Sequence, residues 1–319
     1  MTRKAIVPRR GLSRRRFLAL AASLTLLSCS RAPWGPRPRI GLALGGGGAK
    51  GLAHIPMLEA LDELSIQPAM IAGTSVGAII GALYASGLSG KDIRDLVEQF
   101  LVQKEDEQQW LPLPRSLRWL DFIDPLNGRG GLMSSDDFIA YLGEVMPARR
   151  FRDLQIPLKI VTAALWSGEA VILDAGPLLP AIQASMALPG VFPPVKHNGR
   201  ELVDGGVANP LPYDLLKDQC DLVIAVDVSG DRKLDDEDSM SFMGVLFHSF
   251  HTMSHNILAE KLKQTQPDIY IRPESTNVRV LEFYKAREIF AQALPAKQRL
   301  TKALKRVDYR PGCNLSWLR

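Results

Sequence analysis

The chain has 319 residues, 46% hydrophobic and 23% charged, enough for one or two domains with a substantial core. Its formal net charge of +5 invites a nucleic-acid reading, but seven of the 39 basic residues (Arg3, Lys4, Arg9, Arg10, Arg14, Arg15 and Arg16) fall in the first 28 positions, which hold no acid. The remaining 32 basic and 34 acidic residues show no basic bias, so composition argues for no nucleic-acid partner.

Residues 1–28 read as an export signal. The basic stretch leads into an apolar run of eleven residues, Phe17 to Leu27, too short for a spanning helix of about 20 residues but suited to a signal core. Ser13-Arg14-Arg15-Arg16-Phe17-Leu18 resembles a twin-arginine signal, and Leu26-Leu27-Ser28-Cys29 resembles a bacterial lipobox. On that reading Cys29 carries the lipid, and residues 29–38, rich in Pro and Arg, form a tether. Ser rather than Asp at position 30 favours the outer membrane, facing the periplasm. Of the other cysteines, Cys220 and Cys313, two buried thiols are the commoner outcome and a disulfide the alternative.

The folded part starts at once. Ile40 to Leu44 is an apolar run of strand length, Gly45 to Gly48 a turn, and Ala49 to Leu64 a helix with Leu52, Ile55, Leu58 and Leu61 at helical spacing. Ala69 to Ala72 reads as a buried strand, and Ala78 to Tyr84 as a helix ending near Gly87. A short amphipathic helix is expected over Lys91 to Val102. Residues 104–133 are apolar but aperiodic, with Trp110, Leu113, Trp119 and Phe122 interrupted by Pro112, Pro114 and Pro125; a lid, a lipid-facing surface and an irregular packed loop fit equally. Ser134 or Ser135 caps a helix reaching Met146. Strands follow at Pro157 to Ala163 and Ala170 to Leu173, a helix at Leu178 to Ala187, and a hairpin over Lys196 to Val203 turning at Asn198-Gly199. Leu222 to Val228 is a buried strand, Ser241 to Lys263 a long helix, Asp268 to Arg272 a strand and Tyr284 to Val307 a final helix. Strands alternating with helices predict an α/β fold with a mainly parallel sheet in one domain.

Between the second strand and its helix stands Gly73-Thr74-Ser75-Val76-Gly77, the G-x-S-x-G pattern that presents a serine on a strained turn. A serine nucleophile needs a base and acyl transfer needs oxyanion donors. The upstream turn Gly45-Gly46-Gly47-Gly48-Ala49-Lys50-Gly51 offers backbone N–H groups at a helix start. Two rivals exist for it. A Walker A loop fails, because Gly51 stands where Ser or Thr must follow the lysine. The dinucleotide fingerprint Gly46-x-Gly48-x-x-Gly51 does match, but Ile71-Ala72-Gly73-Thr74-Ser75 stands about where a ribose-binding acid is due. Val203-Asp204-Gly205-Gly206 places a carboxylate at a strand end, which by itself is a common turn.

Together these blocks resemble the bacterial patatin-like phospholipases. Gly46 to Gly51 matches their oxyanion motif with Lys50 at its basic position, Gly73 to Gly77 the nucleophile elbow, and Asp204-Gly205-Gly206 the aspartate motif. Ala184-Ser185-Met186-Ala187-Leu188-Pro189-Gly190-Val191-Phe192-Pro193-Pro194-Val195 is similar to the segment between them. The resemblance covers roughly residues 39–230. It implies a three-layer αβα sandwich that cleaves fatty-acyl esters of phospholipids or lysophospholipids by a Ser–Asp dyad, without cofactor or metal. Ser75 is then the nucleophile, Asp204 the base, and Gly46, Gly47, Gly48 and Val76 the oxyanion hole, with Lys50 bracing the loop. Domains follow as signal 1–28, tether 29–38 and catalytic domain 39–319, with core motifs over 40–230 and a C-terminal helical extension over 240–319. Where many relatives have Ala-Thr-Asp-Leu, this chain has Thr162-Ala163-Ala164-Leu165.

Three histidines offer alternatives. His248, His251 and His255 lie at i, i+3 and i+7 and follow Ser75 and Asp204 in the order of an α/β-hydrolase triad. The same spacing invites zinc, though no HExxH accompanies it. The plainer expectation makes them the polar flank of a core stripe of Leu246, Phe250, Met253 and Ile257, with His54 a packed helix residue. An intact site serving a lipid-binding envelope module of low turnover is the reading from another class.

Overall fold

Apolar strands buried on both faces form the middle of this protein. In the computed structural model, which describes residues 38–106, 135–230 and 242–307, strand β1 (Ile40–Leu44) is wholly buried at the centre of an eight-stranded sheet. On one side β2 (Met70–Thr74) and then β3 (Leu158–Ala164) run parallel to it. On the other side β7 (Leu222–Val226) and β8 (Ile269–Ile271) do the same. Beyond β3 the sheet turns antiparallel, with β4 (Ala170–Leu173) and the hairpin of β5 (Val195–His197) and β6 (Arg200–Asp204).

Side-chain alternation then makes three layers. Leu44, Ile71 and Leu158 lie under Gly81 of α2 (Val76–Ala85), where the missing Cβ lets helix and sheet approach. Ala43, Ala72, Val223 and Ala225 point the other way, against Leu211, Tyr213 and Leu216 and Leu258 of α6 (Phe242–Gln264). Helix α1 (His54–Glu63) contacts α2, α3 (Gly90–Asp106) and α7 (Ala286–Arg306), while α4 (Asp136–Val145) meets α5 (Leu178–Ser185). The α/β three-layer expectation holds.

Several boundaries differ for local reasons. The helix expected from Ala49 starts as a 3-10 turn, Gly48–Ala53, because it slides beneath α2: a Cβ on Gly51 would lie 2.1 Å from Val76 Cγ1. Pro56 then falls in the first turn of α1, where no helical N–H is lost. β2 runs on through Gly73 and Thr74, and α3 continues to Asp106. Ser135 occupies the N-cap position of α4, but its hydroxyl accepts from Gln183 Nε2 (3.1 Å) instead of capping. The C-terminal part is more than a helical extension. It supplies edge strand β8, and the Val280 carbonyl accepts the Ala49 N–H at 2.7 Å. Cys220 is half-buried rather than buried, a free thiol whose ionisation burial pushes upward.

The fold's tie-down begins where the tether was expected to end: Arg39 N–H donates to Asp221 (2.7 Å). The signal, Cys29, Cys313 and all but the start of the 104–133 stretch lie outside the described residues. Among the described residues no helix is long and apolar enough to cross a membrane.

The closest backbone approach gives a stability test. A Cβ on Gly77 would stand 2.2 Å from the Leu44 carbonyl oxygen, whereas Gly168 has φ +73° and open space around it. Urea denaturation is expected to show a loss of about 3 kcal/mol or more for Gly77→Ala and about 1 kcal/mol for Gly168→Ala. Equal losses would mean that the helix–strand approach is not what fixes this residue.

Candidate active site

Strand register brings the site together. A strand has two hydrogen-bonding edges. β4 fills one edge of β3 over Ile160 to Ala163, so β2 (paired with Leu158 to Val161) and β6 (paired with Thr162 to Ala164) succeed each other along the other. Thr74 therefore pairs with Val161, and Asp204 with the next residue, Thr162. Ser75, directly after Thr74, arrives beside Asp204 although 129 positions separate them in sequence.

Ser75 has φ 55° and ψ −125°, a conformation a side chain rarely adopts. It projects from the start of α2 into a cavity of about 480 Å³ shared with Asp204 and Gly46 to Gly48. The Ser75 hydroxyl donates a hydrogen bond to the Asp204 carboxylate. Gly206 N–H donates to Asp204 Oδ1 at 2.7 Å. Asp204 is only 2% exposed. Burial pushes its carboxyl up to about 6, while the two hydrogen bonds hold it from rising further.

The glycine turn supplies backbone donors. Gly46 N–H is taken by the Pro210 carbonyl (3.0 Å), which removes Gly46 from the expected donor set. A Cβ there would come into ordinary contact with Ser75 Cβ at 3.4 Å. Among the described residues, no acceptor takes the N–H of Gly47, Gly48 or Val76. Gly48 has φ +57°, and a Cβ on it would lie 2.3 Å from the Val280 carbonyl oxygen. Lys50 is buried and reaches across to the Ser229 carbonyl (3.0 Å), bracing the turn against the end of β7. Gly205 passes so close to β3 that a Cβ would meet the Val161 oxygen at 2.4 Å. Gly73 likewise leaves room for Gly77 across the elbow.

The histidines do other things. His54 is fully buried, donates from Nε2 to the Gly45 carbonyl (2.8 Å), and is held neutral by burial, its pKa lowered to about 4. His251 is half-buried on the cavity wall with Nε2 3.3 Å from the Ser229 carbonyl. Burial, then the Lys50 charge, lower its pKa. The rings of His248, His251 and His255 lie nearly parallel, 6.4 and 6.3 Å apart. Among the described residues none bonds to Asp204 or Ser75, so the triad arrangement is not assembled. No group of three His, Cys, Asp or Glu side chains there is placed to hold a metal ion. Their expected role as a flank holds for His248 and His255, which are exposed beside half-buried Leu246, Phe250 and Ile257, and needs correction at two places: Met253 is 52% exposed, and His251 joins Phe247, Phe250 and Ser254 along the cavity.

Most of the cavity wall is apolar. Ile79, Ile80 and Leu83 come from α2, Leu96 and Phe100 from α3, and Phe138 and Leu142 from α4. Two polar features escaped the sequence. Ser185 Oγ accepts the Ser75 N–H (2.9 Å) and donates to the Val161 carbonyl (2.7 Å). Asp227, at the end of β7, accepts from Ser229 N–H and the Tyr270 hydroxyl, with Arg272 3.7 Å away. The only sequence trace of Ser185 was its place in the Ala184 to Val195 segment.

Comparison with known proteins gives a consistent result. The family model for patatin-like phospholipases matches residues 42–217, more than half of the chain. An uncharacterized NTE family protein of Mycobacterium bovis is 33% identical over 194 residues, 60% of this chain and 50% of that protein. Lysophospholipase NTE1 of Candida glabrata is 30% identical over 304 residues, 86% of this chain and 17% of the fungal protein. The chain thus spans half or less of these relatives. Among solved structures, VipD from Legionella pneumophila aligns at a TM-score of 0.46 and 16% identity, over 84% of this chain and 67% of that one.

The raised Asp204 pKa couples to stability. Its carboxyl titrates near 6 when folded against 3.8 ordinarily, so its stabilising contribution is full below pH 3.8 and lost as pH rises through 6. Asp204→Asn cannot ionise, and urea denaturation is expected to find it more stable than the parent by roughly 2–3 kcal/mol at pH 8 and equal to it near pH 3. A pH-independent difference would contradict the burial argument.

Proposed function

The chain belongs to the patatin-like phospholipase family, and on that premise we propose that it is a serine acyl hydrolase acting on fatty-acyl esters of phospholipids or lysophospholipids. One observation carries the reading. A strained serine donates its hydroxyl proton toward a buried, weakly acidic aspartate at the polar end of an otherwise apolar cavity. An acyl chain suits the apolar wall and the ester carbonyl suits the polar end.

In the proposed reaction Asp204 accepts the Ser75 Oγ proton as Oγ bonds to the acyl carbonyl carbon. The N–H groups of Gly47, Gly48 and Val76 receive the oxyanion. The tetrahedral adduct then collapses, the ester C–O bond breaks, and the departing alkoxide takes the proton from Asp204. Water attacks the acyl-Ser75 ester, giving its proton to Asp204. Fatty acid leaves as that proton returns to Ser75. An aspartate of ordinary pKa is a weak base for this work, and burial strengthens it.

The export reading belongs to the same proposal. A lipid on Cys29 would hold the domain at the periplasmic side of a membrane, most simply the outer one, next to its substrate. Cys29→Ala is expected to shift the protein from the membrane to the soluble fraction.

Hydrolysis of a phospholipid and lysophospholipid panel tests the chemistry. Ser75→Ala is expected to abolish turnover and fluorophosphonate labelling, and Asp204→Asn to lower kcat about 10³-fold. Since the ionised carboxylate is the base, kcat/KM should rise with pH through about 6 and then level. Loss of activity in His251→Ala with survival in Asp204→Asn would replace the dyad with a triad. Wild-type protein that binds lipid but neither turns over nor labels would be a binding module.

A further inference from the structure

Ser185 is the last residue of α5 and is wholly buried. Its hydroxyl has one proton, which it donates to the Val161 carbonyl (2.7 Å). A lone pair therefore remains for the Ser75 N–H, at 2.9 Å. Both partners matter. The Ser75 N–H belongs to the residue at φ 55°, which would relax toward negative φ if its peptide were free to rotate. Val161 is the β3 residue at the end of the β2 pairing, directly before Thr162, which pairs with Asp204. One hydroxyl thus links the strained peptide of Ser75 to the strand that carries Asp204.

We propose that Ser185 is a positioning residue that holds the Ser75 peptide in its strained conformation and so keeps the Ser75 hydroxyl on Asp204. The chemistry of the bridge explains the residue type. The Val161 carbonyl is buried and the Ser75 N–H part-buried, so each gains from a partner, the carbonyl from a donor and the N–H from an acceptor. A hydroxyl serves both at once. Alanine serves neither, and leaves the N–H and the carbonyl unpaired. Rotation of the released peptide moves Oγ away from the carboxylate. The hydrogen bond that counteracts burial at Asp204 then weakens. The other titratable groups on the cavity, Lys50, Asp227, His251, His255, Tyr141 and Tyr284, are unchanged by the substitution, so the Asp204 titration reports on Ser75.

The catalytic half of this inference rests on the proposed Ser75–Asp204 chemistry; the geometric half does not, and the test separates them. Asp204 is titrated by carbon-13 NMR in the full chain, in Ser185→Ala, Ser185→Thr and Ser75→Ala, with hydrolysis of a lysophospholipid followed in parallel. In Ser185→Ala the Asp204 pKa is expected to move up from about 6 toward its value in Ser75→Ala. In the same variant kcat should fall about 10- to 100-fold with KM within about twofold, and the acid limb of the pH profile should move up with the carboxyl. Ser185→Thr keeps the hydroxyl and should restore both readouts. If that methyl prevents folding, the alanine titration alone decides. An Asp204 titration in Ser185→Ala indistinguishable from the parent overturns the proposal, whether or not the protein turns over lipid. A raised Asp204 pKa in a chain without esterase activity leaves the positioning role standing and rejects the hydrolase reading.

Discussion

The succession of β2 and β6 along one edge of β3 is the constraint on which the site depends. Neither strand alone covers that edge. β2 stops at Thr74, where the elbow bends away, and β6 takes up the pairing one residue later with Asp204. The end of one strand and the end of the other therefore meet at a backbone spacing fixed by the sheet. Each of the other devices at the site acts across this junction. Gly205 lets β6 pass close to the Val161 carbonyl, Gly73 and Gly77 let the elbow turn, and Ser185 bonds to both sides. A slip of one residue in the β6 register would turn Asp204 to the opposite face of the sheet, and one in the β2 register would shift the elbow away from it.

On the proposed reaction, the junction also accounts for an aspartate as the base. Among the described residues its buried carboxyl is offered two hydrogen bonds, one from a backbone N–H and one from the Ser75 hydroxyl. Fewer donors and more burial make it more basic; a third donor would return it toward an ordinary carboxylate. The arrangement costs stability above pH 6, and so does the positive φ at Ser75. Those costs fall on the C-terminal edge of a sheet whose central strands are buried throughout. His54 belongs to the same economy of charge. It is kept neutral below the glycine turn and its one ring N–H secures the Gly45 carbonyl, so it adds no cation beneath the oxyanion cradle.

What the sequence made legible follows from what each residue needs locally. Glycines beside Ser75 and before Lys50 report backbone crowding, and crowding of that kind is written in short motifs. Apolar runs of four to seven residues reported the central parallel strands for a different reason, burial on both faces. Legibility stopped where a role depends on distant register. Ser185 acts on a peptide 110 positions away, and nothing near it in the chain specifies that bond. Gly46 failed as a donor because its N–H meets Pro210, a partner supplied from beyond β6. The helical stripe on α6 was legible in part. Leu246, Phe250 and Ile257 are half-buried and His248 and His255 exposed, as the periodicity has it, but Met253 is exposed and His251 is half-buried on the cavity wall. Much of the inner face of α6 meets a cavity, where phenylalanine, serine and histidine stand together, while Leu258 and Leu262 pack on the core.

The cavity in turn gives the apolar helices a reason beyond packing. Leu96 and Phe100 on α3 and Phe138 and Tyr141 on α4 are spaced as core residues are, yet all four remain only partly buried. Phe100 touches both aromatic rings of α4, so the two helices do meet, but along one side of the stripe. The remaining apolar surface faces the space that begins at Ser75. Two amphipathic helices that fully interdigitated would close this space and leave Ser75 facing a wall of packed side chains. Held apart as they are, they extend the hydrophobic environment of the α2 face outward from the reacting atoms. The same water exclusion that such a lining provides raises the Asp204 carboxyl, so on the proposed reaction acyl-chain binding and base strength draw on one physical source.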